Sequence, residues 1–147
     1  MTYEEKVAWL RRYRQALREE TRLRDRIRSV RSRAESTTQA LKPVFGGDSP
    51  DGSKIEQCAE LLDQYQRELQ AQLQQSETIR KSIESAIQAL PSILQQNVLQ
   101  ARYIDGLPVW RTANRLNISE SWVLKAQKKA IENLKIVQLS PPLQVLN

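Results

Sequence analysis

Residues 53–91, SKIEQCAELLDQYQRELQAQLQQSETIRKSIESAIQALP, place Ile55, Leu62, Leu69, Ile83 and Leu90 at seven-residue intervals, with Cys58, Tyr65, Ile79 and Ala86 in the alternate position. A stripe of that period is the seam of a helix packed lengthwise against another helix. Gln72 and Ser76 interrupt it, and polar seam residues weaken such packing while fixing its register. Pro91 closes the helix. Upstream, Pro43-Val-Phe-Gly-Gly-Asp-Ser-Pro-Asp-Gly52 cannot continue a helix and marks a flexible connection.

Before that connection a first helix is expected from about Tyr3 to Lys42. Its apolar positions, Leu10, Tyr13, Leu17, Leu23, Ile27, Val30, Ala34 and Leu41, keep the 3–4 spacing of a single packed stripe. Three capping boxes mark helix starts: Thr2 with Glu5, Ser53 with Glu56, and Ser92 with Gln95. At ~1.5 Å per residue both long helices reach about 55 Å, so they can bury their stripes only against each other or against a second copy. The expectation is a long helical hairpin over residues 1–90, with a linker at 43–53, that packs on itself or forms an oligomer. A dimer is the default, because two-fold symmetry is the commonest solution.

The composition agrees with an all-α class. The chain has 147 residues, within the range of one domain with a small appendage, and only 4 glycines and 1 phenylalanine to supply a sheet. Its longest uninterrupted apolar run, Val7 to Leu10, is far short of the ~20 residues of a membrane span, and no apolar leader-like stretch follows Met1. A soluble cytoplasmic protein with no membrane partner is expected. A single cysteine and no histidine exclude an intramolecular disulfide, a Cys/His zinc site and any histidine base. With no P-loop, no glycine-rich dinucleotide turn and no recognisable carboxylate pair, neither enzymatic activity nor a cofactor or metal is expected. Cys58, on the seam, reads as a small buried hydrophobe.

Charge asks for a partner. The 23 basic and 17 acidic residues give +6, and they are unevenly spread: residues 1–42 hold 12 basic and 6 acidic, and residues 92–147 hold 7 and 3. Residues 54–91 are instead net acidic, with 4 basic and 6 acidic. Basic ends suit contact with an anionic polymer, and equally suit solubility. A helical wheel gathers Arg11, Arg14, Arg18, Arg22, Arg26 and Arg33 opposite the apolar stripe. This ridge is either a solvated face, partly neutralised by Glu4, Glu19 and Asp25, or a phosphate-contacting surface.

From Ser92 the pattern changes to short helices: Ile93 to Ile104, a stop at Asp105-Gly106, Pro108 to Leu116, a turn at Asn117 and a last helix from Ser119. Three short helices suggest a helix-turn-helix over 91–137, followed by a proline-broken tail, 138–147. The motif needs a small residue where two helices cross, a residue tolerant of positive φ in the turn, and apolar residues facing the core. Ala113, Asn117, and Leu116, Ile118 and Val123 fill those roles; Ser119 caps the last helix and Pro108 suits a first helical position. A core-only three-helix unit is the alternative.

The run Leu99-Gln-Ala-Arg-Tyr-Ile-Asp-Gly-Leu-Pro108, with Thr112-Ala113-Asn-Arg-Leu-Asn-Ile-Ser119, Val123 and Ala130-Ile-Glu-Asn-Leu134, resembles sigma-factor region four. The long helical amino-terminal part makes the whole similar to small phage and prophage regulators, including late-gene activators of the ArpU type. The resemblance implies binding of double-stranded DNA, control of transcription and contact with RNA polymerase. The chain departs from the family at Trp110, Arg111 and Thr112, where acidic residues and isoleucine are usual, so this helix is more basic and its core edge more polar. Glu120, Ser121 and Lys125 stand where housekeeping sigma factors read their promoter element with arginine, glutamate and glutamine, so a different element is expected.

The residues expected at the DNA are Arg111, Arg115, Ser119, Ser121, Trp122, Lys125, Lys128 and Lys129. Lys125 is the best base-reading candidate, whereas Lys128 and Lys129 suit phosphates. Trp122 and Leu124 flank Val123 and cannot both point inward with it. Packing against the long helices competes with a base-edge or polymerase contact for them. The expected function is a sequence-specific DNA-binding regulator. The rivals are a sigma-like module that binds RNA polymerase or another protein, and a DNA-recognition subunit of packaging machinery.

Overall fold

The structure, a computed structural model, describes residues 1–40 and 51–137. It is all-α. Helix α1 is Tyr3–Ala40, α2 is Asp51–Gln88, α3 is Ile93–Leu99 continued by a π-helical turn at Gln100–Ile104, α4 is Val109–Leu116 and α5 is Glu120–Asn133. No strand occurs among the described residues. Leu41, Lys42, linker residues 43–50 and the tail 138–147 lie outside them. Among the described residues no helix is long and apolar enough to cross a membrane. The chain forms two compact units, Gln15–Thr78, and Met1–Arg14 together with the chain from Ile79 onward.

The three capping boxes fare differently. At α1 the box is complete: the Glu5 amide donates to Thr2 Oγ1 and the Thr2 amide donates to Glu5 Oε2, each at 3.1 Å. Before α3 half of it forms, since Ser92 Oγ accepts from the Gln95 amide at 3.2 Å while the Gln95 side-chain oxygen accepts from Asn133 Nδ2 of α5 at 3.4 Å. Ser53 and Glu56 do not start a helix, because α2 begins at Asp51 and holds both within it. One helical glycine costs only ~1 kcal/mol, which seam packing further along readily offsets, so Gly52 does not stop the helix from starting early.

In the unit Gln15–Thr78 the two long helices run antiparallel, with Ala16 opposite Gln72 and Arg26 over the ring of Tyr65. The α1 seam is itself a heptad, made of Ala16, Leu23 and Val30 at one position and Glu20 and Ile27 at the other, all buried. Leu17, which an apolar count places on the stripe, is only half-buried. Ala16 and Glu20 escape such a count because one is small and the other charged. Glu20 is tolerated there through Oε1, which accepts from Arg24 Nη1 at 3.4 Å.

The two polar interruptions of α2 satisfy each other. Gln72 Nε2 donates to Ser76 Oγ at 3.3 Å and to the Ala16 carbonyl at 3.5 Å, so the polar layer sits opposite the smallest residue of the facing seam. Cys58 departs from its reading as a buried hydrophobe. It is half-buried and lines a surface groove with Arg33, Ser36, Lys54 and Leu61, because a two-helix seam covers its edge positions on one side only.

The other unit has a core fed by every described helix except α4. Leu10 of α1, Ile83 and Ile87 at the end of α2 and Leu90 just beyond it meet Leu99, Tyr103, Ile104, Ala130, Ile131 and Leu134. Tyr3, Val7, Trp9, Tyr13, Ile79 and Ala86 pack around them, partly buried. Ile87 lies outside the seven-residue count, yet it is buried because a third layer of helix covers the face beside the seam. Burial pushes the Tyr103 phenol above its ordinary pKa.

If the seams carry the packing, Leu23→Ala and Ile83→Ala should each cost about 2–5 kcal/mol in urea denaturation, and Leu17→Ala clearly less. Equal losses at all three positions would rule out this placement of the α1 seam.

Candidate nucleic-acid interface

The approach to α4 departs from a uniform helix. At Gln100–Ile104 the backbone loosens to i→i+5 pairing, with the Asp105 amide donating to the Gln100 carbonyl at 2.9 Å, and the Leu107 amide then closes a wider turn onto the Ala101 carbonyl, also at 2.9 Å. From this turn Arg102 donates through Nε to Gln127 Oε1 of α5 and through Nη1 to the Leu107 carbonyl, both at 2.8 Å. Arg102 therefore ties the loop to the last helix. Gly106 has φ 71°, a conformation that favours glycine, and the Arg14 guanidinium lies close against it, where a Cβ would displace that side chain. Arg14 Nη1 also donates to the Ile104 carbonyl at 3.4 Å.

Pro108 caps α4 and is not its first residue: φ −67° and ψ 167° leave it extended, and its carbonyl accepts from the Thr112 amide at 3.0 Å. The ring fixes φ alone, so proline suits an extended N-cap as well as the first helical position. Thr112 Oγ1 donates to the same carbonyl at 3.0 Å, which lets a hydroxyl occupy a fully buried site. Ala113 is buried where α4 meets α5, in a small cluster with Val98 and Val123 flanked by Leu116 and Ile118. Asn117 takes the left-handed conformation, φ 55° and ψ 45°, and the Ile118 amide donates to the Ala113 carbonyl at 3.1 Å. Ser119 Oγ accepts from the Trp122 amide at 3.0 Å and caps α5. Near the far end of α5, Lys6 Nζ donates to the Glu132 carbonyl at 2.9 Å.

These supports fix which face of α5 is free. Val123, Ala130 and Ile131 are buried, so Ser121, Lys125 and Lys128 lie on the opposite side, with Lys129 and Trp122 along one flank and Leu124 along the other. The three lysines are exposed and pair with no carboxylate among the described residues. Both apolar flankers are exposed, so neither packs back as the competing reading allowed. Arg115 is exposed but held by Asp105 at 2.6 Å, and Arg111 lies over the Trp110 ring at 6.0 Å. Leu107, Trp110, Arg111, Asn114 and Arg115 together line a shallow surface groove.

The arginine ridge is less uniform than a wheel suggests. Arg14 is committed to the Gly106 turn, Arg26 lies over Tyr65 at 5.7 Å, and Arg22 bonds Glu19. The hydrogen bond and charge of Arg22 hold the Glu19 carboxyl below its usual pKa. Arg11, Arg18 and Arg33 remain exposed. The positioning roles of Arg102, Lys6 and Arg14 have no signal in the sequence, since each depends on a carbonyl or amide exposed only by the folded turns and helix ends.

Small crossing residue, left-handed turn and capped outward helix together make a helix-turn-helix. Residues 86–135 match the family Sigma-70, region 4. The region-four-like segment has the helix-turn-helix arrangement, and it begins within α2, at Ala86. It thus takes in the core residues Ile87 of α2 and Leu90 just beyond it, which pack beneath α3 and α5. No curated protein and no solved structure matches the chain.

The Asn117 geometry gives a direct check. Asn117→Gly should be nearly neutral in thermal unfolding, whereas Asn117→Val should lose about 1–2 kcal/mol, the cost of forcing a β-branched residue into that region. Tolerance of valine would contradict the turn.

Proposed function

We propose that the chain is a sequence-specific transcriptional regulator that reads the major groove with residues 119–134, and that it is phage or prophage encoded, like the ArpU-type late-gene activators it resembles. The supporting observation is the outward stripe of α5. Within a region-four-like domain, Ser121 allows close approach while Lys125 and Lys128 stand exposed with no described partner. Lys125 is the base-reading residue, and Lys128 and Lys129 hold phosphates, with Ser119, Arg111 and Arg115 beside them. Arg11, Arg18 and Arg33 add sequence-independent attraction. The reading requires neither a catalytic step nor a cofactor.

A second reading, a module that docks on RNA polymerase or another protein, is favoured by Trp110, which is 56% exposed on α4. No observation among the described residues favours a packaging role. Self-association through α1 and α2 belongs to the first reading, because Leu17, Leu61, Leu62, Leu69 and Leu73 are only half-buried within the chain. Light scattering at tens of micromolar should then report a dimer, and a monomer would remove that part.

Selection of bound sites from random DNA tests the function. Lys125→Ala should relax preference at one base pair by roughly 1–3 kcal/mol. Lys128→Ala and Arg18→Gln should weaken every duplex alike, the former lowering the slope of log affinity against log salt by about one. Wild-type affinity, selectivity and salt slope in both lysine variants, with reduced polymerase binding, would hand the assignment to the docking module.

A further inference from the structure

Two features of α5 remain unused by phosphate contact and by Lys125. Trp122 is 51% exposed and Leu124 is 52% exposed, although each neighbours the fully buried Val123. They are held in place: the Trp122 amide is fixed by the Ser119 cap at 3.0 Å, and Val123 anchors the helix between them. On a helical wheel they fall on opposite flanks of the stripe Ser121, Lys125 and Lys128. Both belong to the first turns of the last helix, the part that reaches base edges in a helix-turn-helix.

The chemistry of the groove selects what such side chains meet. A base edge in the major groove offers hydrogen-bonding groups, with one apolar exception, the 5-methyl of thymine. Large apolar side chains against hydrogen-bonding edges alone would desolvate them without return. Against a methyl group they remove apolar surface from water on both sides. The adjacent lysines and the small Ser121 favour an anionic duplex over a protein groove as the surface that covers this face. Resting on the DNA-reading assignment above, we propose that Trp122 and Leu124 recognise thymine methyl groups, so that the bound element carries thymine on either side of the pair read by Lys125.

Removing the methyl alone is the test. In the selected duplex each thymine is replaced in turn by deoxyuridine, which keeps every hydrogen-bonding group, and affinity is followed by fluorescence anisotropy at fixed salt. Wild-type protein should lose about fourfold at one or two positions, the ~0.8 kcal/mol of one buried methyl. Trp122→Ala should abolish the response at one of them and Leu124→Ala at the other, with the salt slope unchanged. Both side chains are exposed, so the variants should keep the wild-type helical spectrum and unfolding midpoint. A selected element without thymine, or one indifferent to deoxyuridine while Lys125→Ala still relaxes it, would overturn methyl reading and leave the DNA-binding function standing. Failure to select any sequence would overturn both. A deoxyuridine response untouched by either variant, with polymerase binding weakened instead, would assign the two side chains to a protein surface.

Discussion

The packing of Leu10, Ile83, Ile87 and Leu90 against Leu99, Ile131 and Leu134 is the interaction on which the carboxy-terminal helices depend. Helices α3, α4 and α5 span 7, 8 and 14 residues, lengths at which an isolated helix is marginal in water at best. Their own shared cluster, Val98, Ala113 and Val123, is small. The ends of the two long helices add Leu10, Ile83 and Ile87 to the larger core, and the region-four-like segment takes in the last turn of α2. The first turns of α1 take part too, through Leu10, the Lys6 bond to the Glu132 carbonyl and the Arg14 bond to the Ile104 carbonyl. A fragment starting at Ser92 would lack Leu10, Ile83, Ile87 and Leu90 together.

How far the sequence disclosed this arrangement depended on how local each cause is. Asn117, Ser119 and Ala113 each act within a few residues, through a turn conformation, a cap and a crossing, and their types alone indicate the roles. The α2 seam was legible because its heptad is mostly apolar. The α1 seam was legible at Leu23, Ile27 and Val30 but not at Ala16, which is small, or Glu20, which is charged and whose burial becomes intelligible only with Arg24 one turn on. The π-helical turn and the reach of Arg102 to Gln127 were invisible for a different reason. Hydrogen bonds between distant groups have no periodicity to read.

The basic side chains show why composition overstates a charged surface. Of the arginines gathered on one side of α1, Arg14 is spent on a turn, Arg22 on Glu19 and Arg26 on an aromatic ring. On α4, Arg115 is shared with Asp105. Exposed pairs of this sort contribute little to stability, yet each lowers the field available to an external phosphate. The lysines of α5 are different in kind, being exposed with no carboxylate partner among the described residues, so their positive charge is left unpaired on the outer side of that helix.

Support and recognition are separated along α5 itself. Val123, Ala130 and Ile131 hold the helix to its core, and Ser119, Gln127 and the Glu132 carbonyl tie its beginning, middle and end to the turn, to Arg102 and to Lys6. Ser119 and Gln127 lie off the stripe of Ser121, Lys125 and Lys128, and at Glu132, which continues that stripe, the tie uses the backbone carbonyl and not the side chain. A change on that stripe should therefore have little effect on folding, because exposed substitutions away from such supports usually shift stability by no more than about 0.5 kcal/mol. The same separation accounts for Trp122 and Leu124 standing in solvent beside a fully buried valine: on a helix anchored elsewhere, their side chains are not needed by the core and remain available to a partner.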